Sequence, residues 1–123
     1  EETAVDLTRF NDSAPVLWSH NPSEQIGVIK RAWIENRKGY AEIQFGNSAK
    51  SLEIQKDIAA GVIRNVSIGY TIEEMEEDEK GRMVATRWSV MELSFVSIPA
   101  DQQYGYTASI NSFTKNWRWI LIL

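Results

Sequence analysis

The sequence predicts a mainly β fold with some α structure (α+β), a small, mostly antiparallel β-barrel or curled sheet with a helix packed against it. Three observations carry this. Several segments are rich in β-branched and aromatic residues, one stretch has the start and stop signals of a helix, and only 3 prolines interrupt 123 residues.

Residues 26–35 (IGVIKRAWIE) read as a strand. Residues 39–45 (GYAEIQF) alternate apolar Ala41, Ile43 and Phe45 with Tyr40, Glu42 and Gln44, the period of two of a half-buried strand. Between them, the polar Asn36-Arg37-Lys38-Gly39 is turn chemistry, so the two strands form an antiparallel hairpin. Asn47 or Ser48 can accept hydrogen bonds from the free N–H groups of a helix start. Residues 49–60 follow, with Leu52, Ile58 and Ala59 assigned to one face and Gly61 as the left-handed stop.

From Val62 the pattern returns to strand through Tyr70 and Ile72. The acidic run Glu73-Glu74-Met75-Glu76-Glu77-Asp78-Glu79, before Lys80-Gly81, reads as a solvated hairpin tip whose charges keep an exposed edge soluble. It lacks the Gly and Asx spacing of a calcium loop, so no metal is assigned. Residues 83–98 are strand again. For the apolar ending Trp117-Arg118-Trp119-Ile120-Leu121-Ile122-Leu123 three readings stay open: a last core strand or helix, an interface segment, or a by-product of where the chain is cut.

At this length the expectation is one domain over residues 1–123 with a single site. The apolar fraction of 43% and charged fraction of 24% suit a soluble globular protein. A formal charge of -4 with no basic stripe repels phosphate backbones, which disfavours nucleic acid as a partner. With no cysteine there is neither a disulfide nor a thiolate nucleophile, which is compatible with a reducing cytoplasm. No apolar run reaches the roughly 20 residues of a membrane span, and the amino terminus has no signal-peptide pattern. The chain opens on Glu1 rather than Met, so one or both ends are expected to be processed or cut from something longer.

The single imidazole, His20, is the only histidine base available near neutral pH, although an isolated histidine is more often structural or merely exposed. A serine hydroxyl needs such a base before it becomes a useful nucleophile. Ser67, in Asn65-Val66-Ser67-Ile68-Gly69-Tyr70, is the best candidate: a small polar residue in an apolar strand, with a glycine two residues on where another group can approach closely. Its bland alternative is a cross-strand hydrogen bond. Glu92, flanked by Met91 and Leu93, is the candidate third group that holds the imidazole tautomer; even spacing puts Val90 and Ser94 on its face. Ser94 and Ser97 also lie in an apolar strand, so chemistry alone leaves three serines in play. No Gly-x-Ser-x-Gly elbow occurs, which disfavours an α/β-hydrolase.

Three blocks resemble the signature segments of tailed-phage prohead proteases: His20 ahead of Pro22, Ile26 and Gly27; then Val66-Ser67-Ile68-Gly69-Tyr70; then Trp88 through Glu92-Leu93-Ser94-Phe95-Val96-Ser97-Ile98-Pro99-Ala100. The likeness covers about residues 16–101, the protease core, and leaves 109–123 as an unmatched tail. It departs at Asp101, where the family commonly has asparagine. The resemblance implies the small β-barrel of herpesvirus assemblin proteases, with the helix between the histidine and serine strands and peripheral helical segments. It also implies endopeptidase cleavage of scaffold or capsid-protein segments inside the prohead, in the host cytoplasm. Ser67 then matches the nucleophile, His20 the general base and Glu92 the orienting carboxylate, with no metal, cofactor, nucleic acid or membrane required. Self-association into a homodimer or higher oligomer is a further expectation of that likeness.

Two rival functions remain. One is a non-catalytic capsid-assembly or scaffolding domain that keeps the fold with its polar residues misaligned. The other is a small barrel that binds peptide or nucleic acid through the 5 tryptophans, its nucleic-acid form disfavoured by the acidic balance.

Overall fold

The computed structural model describes residues 4–36, 38–98, 106–111 and 116–122. In chain order they form β1 (Val5–Asp6), β2 (Pro15–Trp18), β3 (Asn21–Glu35), β4 (Lys38–Phe45), α1 (Ala49–Ala59), β5 (Asn65–Glu77), β6 (Met83–Val96), β7 (Tyr106–Asn111) and β8 (Asn116–Ile122). The strands make one sheet in the order β1-β6-β2-β3-β4-β8-β7, with β5 also paired to β6. The sheet curls into a half-barrel, so the mainly β expectation with one helix holds.

β6 organises the site end of this sheet. Along one edge it pairs antiparallel with β5, and along the other it takes β1 and β2 in parallel, with Val16 opposite Leu93, Leu17 opposite Ser94 and Trp18 opposite Phe95. The β3–β4 hairpin forms where the alternation in residues 39–45 placed it, with Ile29 opposite Ile43 and Ala32 opposite Ala41. Those residues join Val16, Ile26, Leu93 and Phe95 in one core. Burial of each large aliphatic side chain there contributes about 1.5–3 kcal/mol. The apolar ending enters as a strand: β8 pairs antiparallel with β4 and β7. Residues 99–105, including the Pro99-Ala100 end of the third block and Asp101, lie outside the described residues.

α1 starts and stops where the sequence signals it. The Ser48 side chain accepts from the Ser51 N–H, and Gly61 stands at φ +79 just past the helix end. Its buried face differs from the expected one. Ser51, Ile54 and Ile58 are buried, whereas Leu52 is 44% exposed and Ala59 is exposed too. Ser51 is the reason: its Oγ donates to the Ile26 carbonyl oxygen at 2.7 Å, anchoring the helix to β3 through a polar contact that an apolar periodicity does not register. The segment 8–13 is a run of turns, with the Asn11 N–H donating to the Leu7 carbonyl, and among the described residues α1 is the one α-helix.

A second correction concerns the acidic run. Only its end lies in the hairpin tip: β5 runs on to Glu77, and the tip is the turn Asp78–Arg82, which takes in Asp78 and Glu79, with Gly81 at φ +78. The carboxylates sit along an exposed strand, where Arg87 pairs with Asp6 at 3.3 Å and with Glu73 and Glu74 at 3.8 and 4.0 Å, and Ser89 donates to Glu73. Among the described residues no cluster of three or more His, Asp or Glu side chains is placed to hold a metal ion, and no helix is long and apolar enough to cross a membrane.

Candidate active site

The three candidate residues come from three separate elements. Ser67 is on β5, nearly buried at 5% exposure, and faces Ser94 across the β5–β6 ladder. Glu92 is on β6, opposite Gly69. His20 lies in the two-residue turn Ser19-His20 that joins β2 to β3, where Trp18 pairs with Asn21. Both turn residues have left-handed backbones, φ +54 and +58, the signature of the tight hairpin turn whose twist matches the flanking strands. That turn was not legible beforehand, because Ser-His carries none of the Asn or Gly that usually mark it.

The imidazole bridges the other two side chains. His20 Nδ1 is 2.5 Å from Glu92 Oε1, and His20 Nε2 is 3.0 Å from Ser67 Oγ. In a neutral imidazole, an Nδ1–H that donates to an ionised carboxylate leaves Nε2 as an acceptor for the Ser67 hydroxyl. The imidazole is partly open to solvent, its side chain 43% exposed, while the Glu92 side chain is 15% exposed beneath it.

Strand irregularity makes this geometry. The β5–β6 register shifts between Gly69 and Tyr70, so Met91 is an extra residue in β6. Even spacing had put Val90 on the face of Glu92 and Ser94; the bulge instead turns Val90 into the core with Leu93 and Phe95. Glu92 and Ser94 are left facing the imidazole. Gly69 completes the arrangement, since a Cβ there would collide with the Glu92 carboxylate. The close approach expected at this glycine is therefore made by Glu92.

The other two serines are sorted by their contacts. Ser94 is fully buried; its Oγ donates to Glu92 Oε2 at 2.7 Å and accepts from the His20 backbone N–H at 2.9 Å. Ser97 is exposed beyond the end of β6, where its carbonyl accepts from Asn65 Nδ2 at 3.2 Å. From sequence, Ser94 is a rival nucleophile and a residue on the Glu92 face, with no role in holding the histidine assigned to it. The signal that marks its link to Glu92 is the two-residue spacing on one strand.

A serine, an imidazole and a carboxylate hydrogen-bonded in series are the groups that nucleophilic catalysis by a serine needs. The chain belongs to the caudovirus prohead serine protease family, whose model matches residues 2–116. Its relatives include a protein of Halomonas phage phiHAP-1 named major capsid protein, 34% identical over 91% of this chain and 20% of that protein. A capsid polyprotein of Pseudomonas phage PAJU2 is 29% identical over 89% of this chain and 18% of that protein. The chain thus spans about a fifth of the length of these relatives. No solved structure matches it.

Proposed function

We propose that this chain is a serine endopeptidase of phage capsid maturation, cutting scaffold or capsid-protein segments inside the assembling prohead in the host cytoplasm. The observation that carries the proposal is the position of His20, with one ring nitrogen on Ser67 and the other on Glu92. Ser67 Oγ attacks the scissile carbonyl carbon as its proton passes to His20 Nε2. The imidazolium that forms is held by Glu92 Oε1 and returns its proton to the leaving amine. The acyl-enzyme left on Ser67 is then hydrolysed by a water that His20 deprotonates in turn. No metal or cofactor takes part in these steps.

The substrate class follows from the relatives. The capsid names of the relatives that share this segment support capsid-protein segments as substrate. Self-association is part of the proposal, and sedimentation of the chain with and without residues 117–123 tests it; a monomer in both removes it.

Incubation with a serine-directed fluorophosphonate, followed by peptide mass spectrometry, tests the activity. Labelling is expected at Ser67, slowed about 10²- to 10⁴-fold in His20→Ala. Label on Ser94 or Ser97 overturns the assignment. A folded chain that takes no label supports the other reading, a non-catalytic capsid-assembly domain, which the capsid names of the relatives favour.

A further inference from the structure

We infer that Ser94 is a positioning residue for the His20–Glu92 pair, fixing the backbone of the base and the orientation of the carboxylate through one hydroxyl. The inference rests on the reading of Ser67, His20 and Glu92 as nucleophile, base and orienting group.

The hydroxyl of Ser94 both donates and accepts. Its one proton goes to Glu92 Oε2 at 2.7 Å, and a lone pair takes the His20 N–H at 2.9 Å. With no solvent exposure, the Ser94 hydroxyl is closed to a substrate carbonyl. Its own position is rigid, because β5 pairs with it through Ser67 on one edge and β2 through Leu17 on the other, and the side chain has no solvent exposure.

Both groups that it holds need a second restraint. Ser19 and His20 have left-handed backbones, which L-residues with side chains adopt at a cost and keep only where the surroundings determine it. Here the restraint is two hydrogen bonds from β6: Ser19 N–H to the Phe95 carbonyl at 2.9 Å, and His20 N–H to Ser94 Oγ. Glu92 has two oxygens; with Oε1 on the imidazole, a free Oε2 would let the carboxylate swing about its terminal torsion. Ser94 closes that freedom, so the histidine's main chain directly, and its Nδ1 through Glu92, refer to the same rigid atom.

The test measures fluorophosphonate inactivation of the full chain, with the labelled serine mapped, in wild type, Ser94→Ala, Glu92→Gln and the double variant. Ser94→Ala is expected to lower the limiting inactivation rate about ten- to a hundredfold, the scale of a small misplacement of reacting groups. The half-saturating probe concentration and the melting temperature stay near wild type. The same substitution made in Glu92→Gln should cost far less, because the carboxylate it orients is already gone. Ser94→Thr and Ser94→Val match in shape and differ in the hydroxyl, so a faster Thr variant reads the hydroxyl even where the added methyl destabilises both. Undiminished labelling of Ser67 in Ser94→Ala, a strictly additive double variant, or equal rates for Thr and Val each overturn the inference alone. Absence of label on Ser67 in the wild type overturns the underlying site assignment, and this inference with it.

Discussion

Gly69 stands directly across the β5–β6 ladder from Glu92, and the space where its side chain would be is filled by the Glu92 carboxylate. Gly69→Ala must therefore push Glu92 off His20. We expect phosphonate labelling of Ser67 to slow by at least about tenfold. Gly61→Ala is the control: nothing lies within 4 Å of an added Cβ, but the backbone is at φ +79, so the cost of about 1–2 kcal/mol falls on stability. Melting temperature and labelling rate, measured on both, should move in opposite patterns. A Gly69→Ala chain that labels like wild type would show that the carboxylate is not needed where it stands.

Glu92→Gln keeps the shape of the side chain and reverses one hydrogen bond. An amide NH₂ facing Nδ1 makes that nitrogen the acceptor and moves the ring proton to Nε2, where it blocks acceptance of the Ser67 proton. By analogy with the aspartate-to-asparagine change in serine proteases, the labelling rate should fall about 10³- to 10⁴-fold with the fold intact. A fall under threefold would remove Glu92 from the mechanism.

Much of the fold was legible in the sequence because it is written in local patterns. Period-two alternation gave β4 and the capping residues gave α1, and Ser67 stood out as a polar residue in an apolar strand. The site's geometry was less legible because it depends on departures from period. The extra residue Met91 turns Val90 inward and leaves Glu92 facing the imidazole, and one sequence does not mark a bulge. The turn at Ser19-His20 is held by β6, some seventy residues away, rather than by its own residue types. The buried Ser51 likewise hid the true face of the helix.

The β5–β6 tip has a pH dependence that can be signed. The Arg82 backbone N–H above all, then the Lys80 N–H and the Arg82 guanidinium, hold the Asp78 carboxyl below its ordinary value of 3.8. A carboxyl with a lowered folded pKa adds stability above the ordinary value and loses it as pH falls through the folded one. The Asp78 carboxyl carbon, followed by NMR, should therefore titrate with a midpoint below 3.8, and the Lys80 and Arg82 amide shifts should move with it. A midpoint at or above that value contradicts the hydrogen-bonded turn at Asp78.

The face of α1 offers the sharpest test of packing, because two similar side chains two residues apart have opposite surroundings. Ile54 is 2% exposed in the core beside Ile58, and Leu52 is 44% exposed on the outer side. Ile54→Ala removes buried methyl groups and leaves a cavity, so it should cost about 2–5 kcal/mol in chemical denaturation. Leu52→Ala removes a side chain that is largely open to water and trades leucine for the best helix former, so its effect should stay well below that of Ile54→Ala, within about 1 kcal/mol. The sequence periodicity that grouped Leu52 with Ile58 and Ala59 implies the reverse order. Because the Ser51 hydroxyl fixes which face meets β3, Ser51→Ala should cost about 0.5–1.5 kcal/mol, the net worth of one hydrogen bond, since the Ile26 carbonyl keeps the Gly46 N–H as a donor. If Leu52→Ala proves the more damaging of the two, the helix is rotated from the orientation that Ser51 sets.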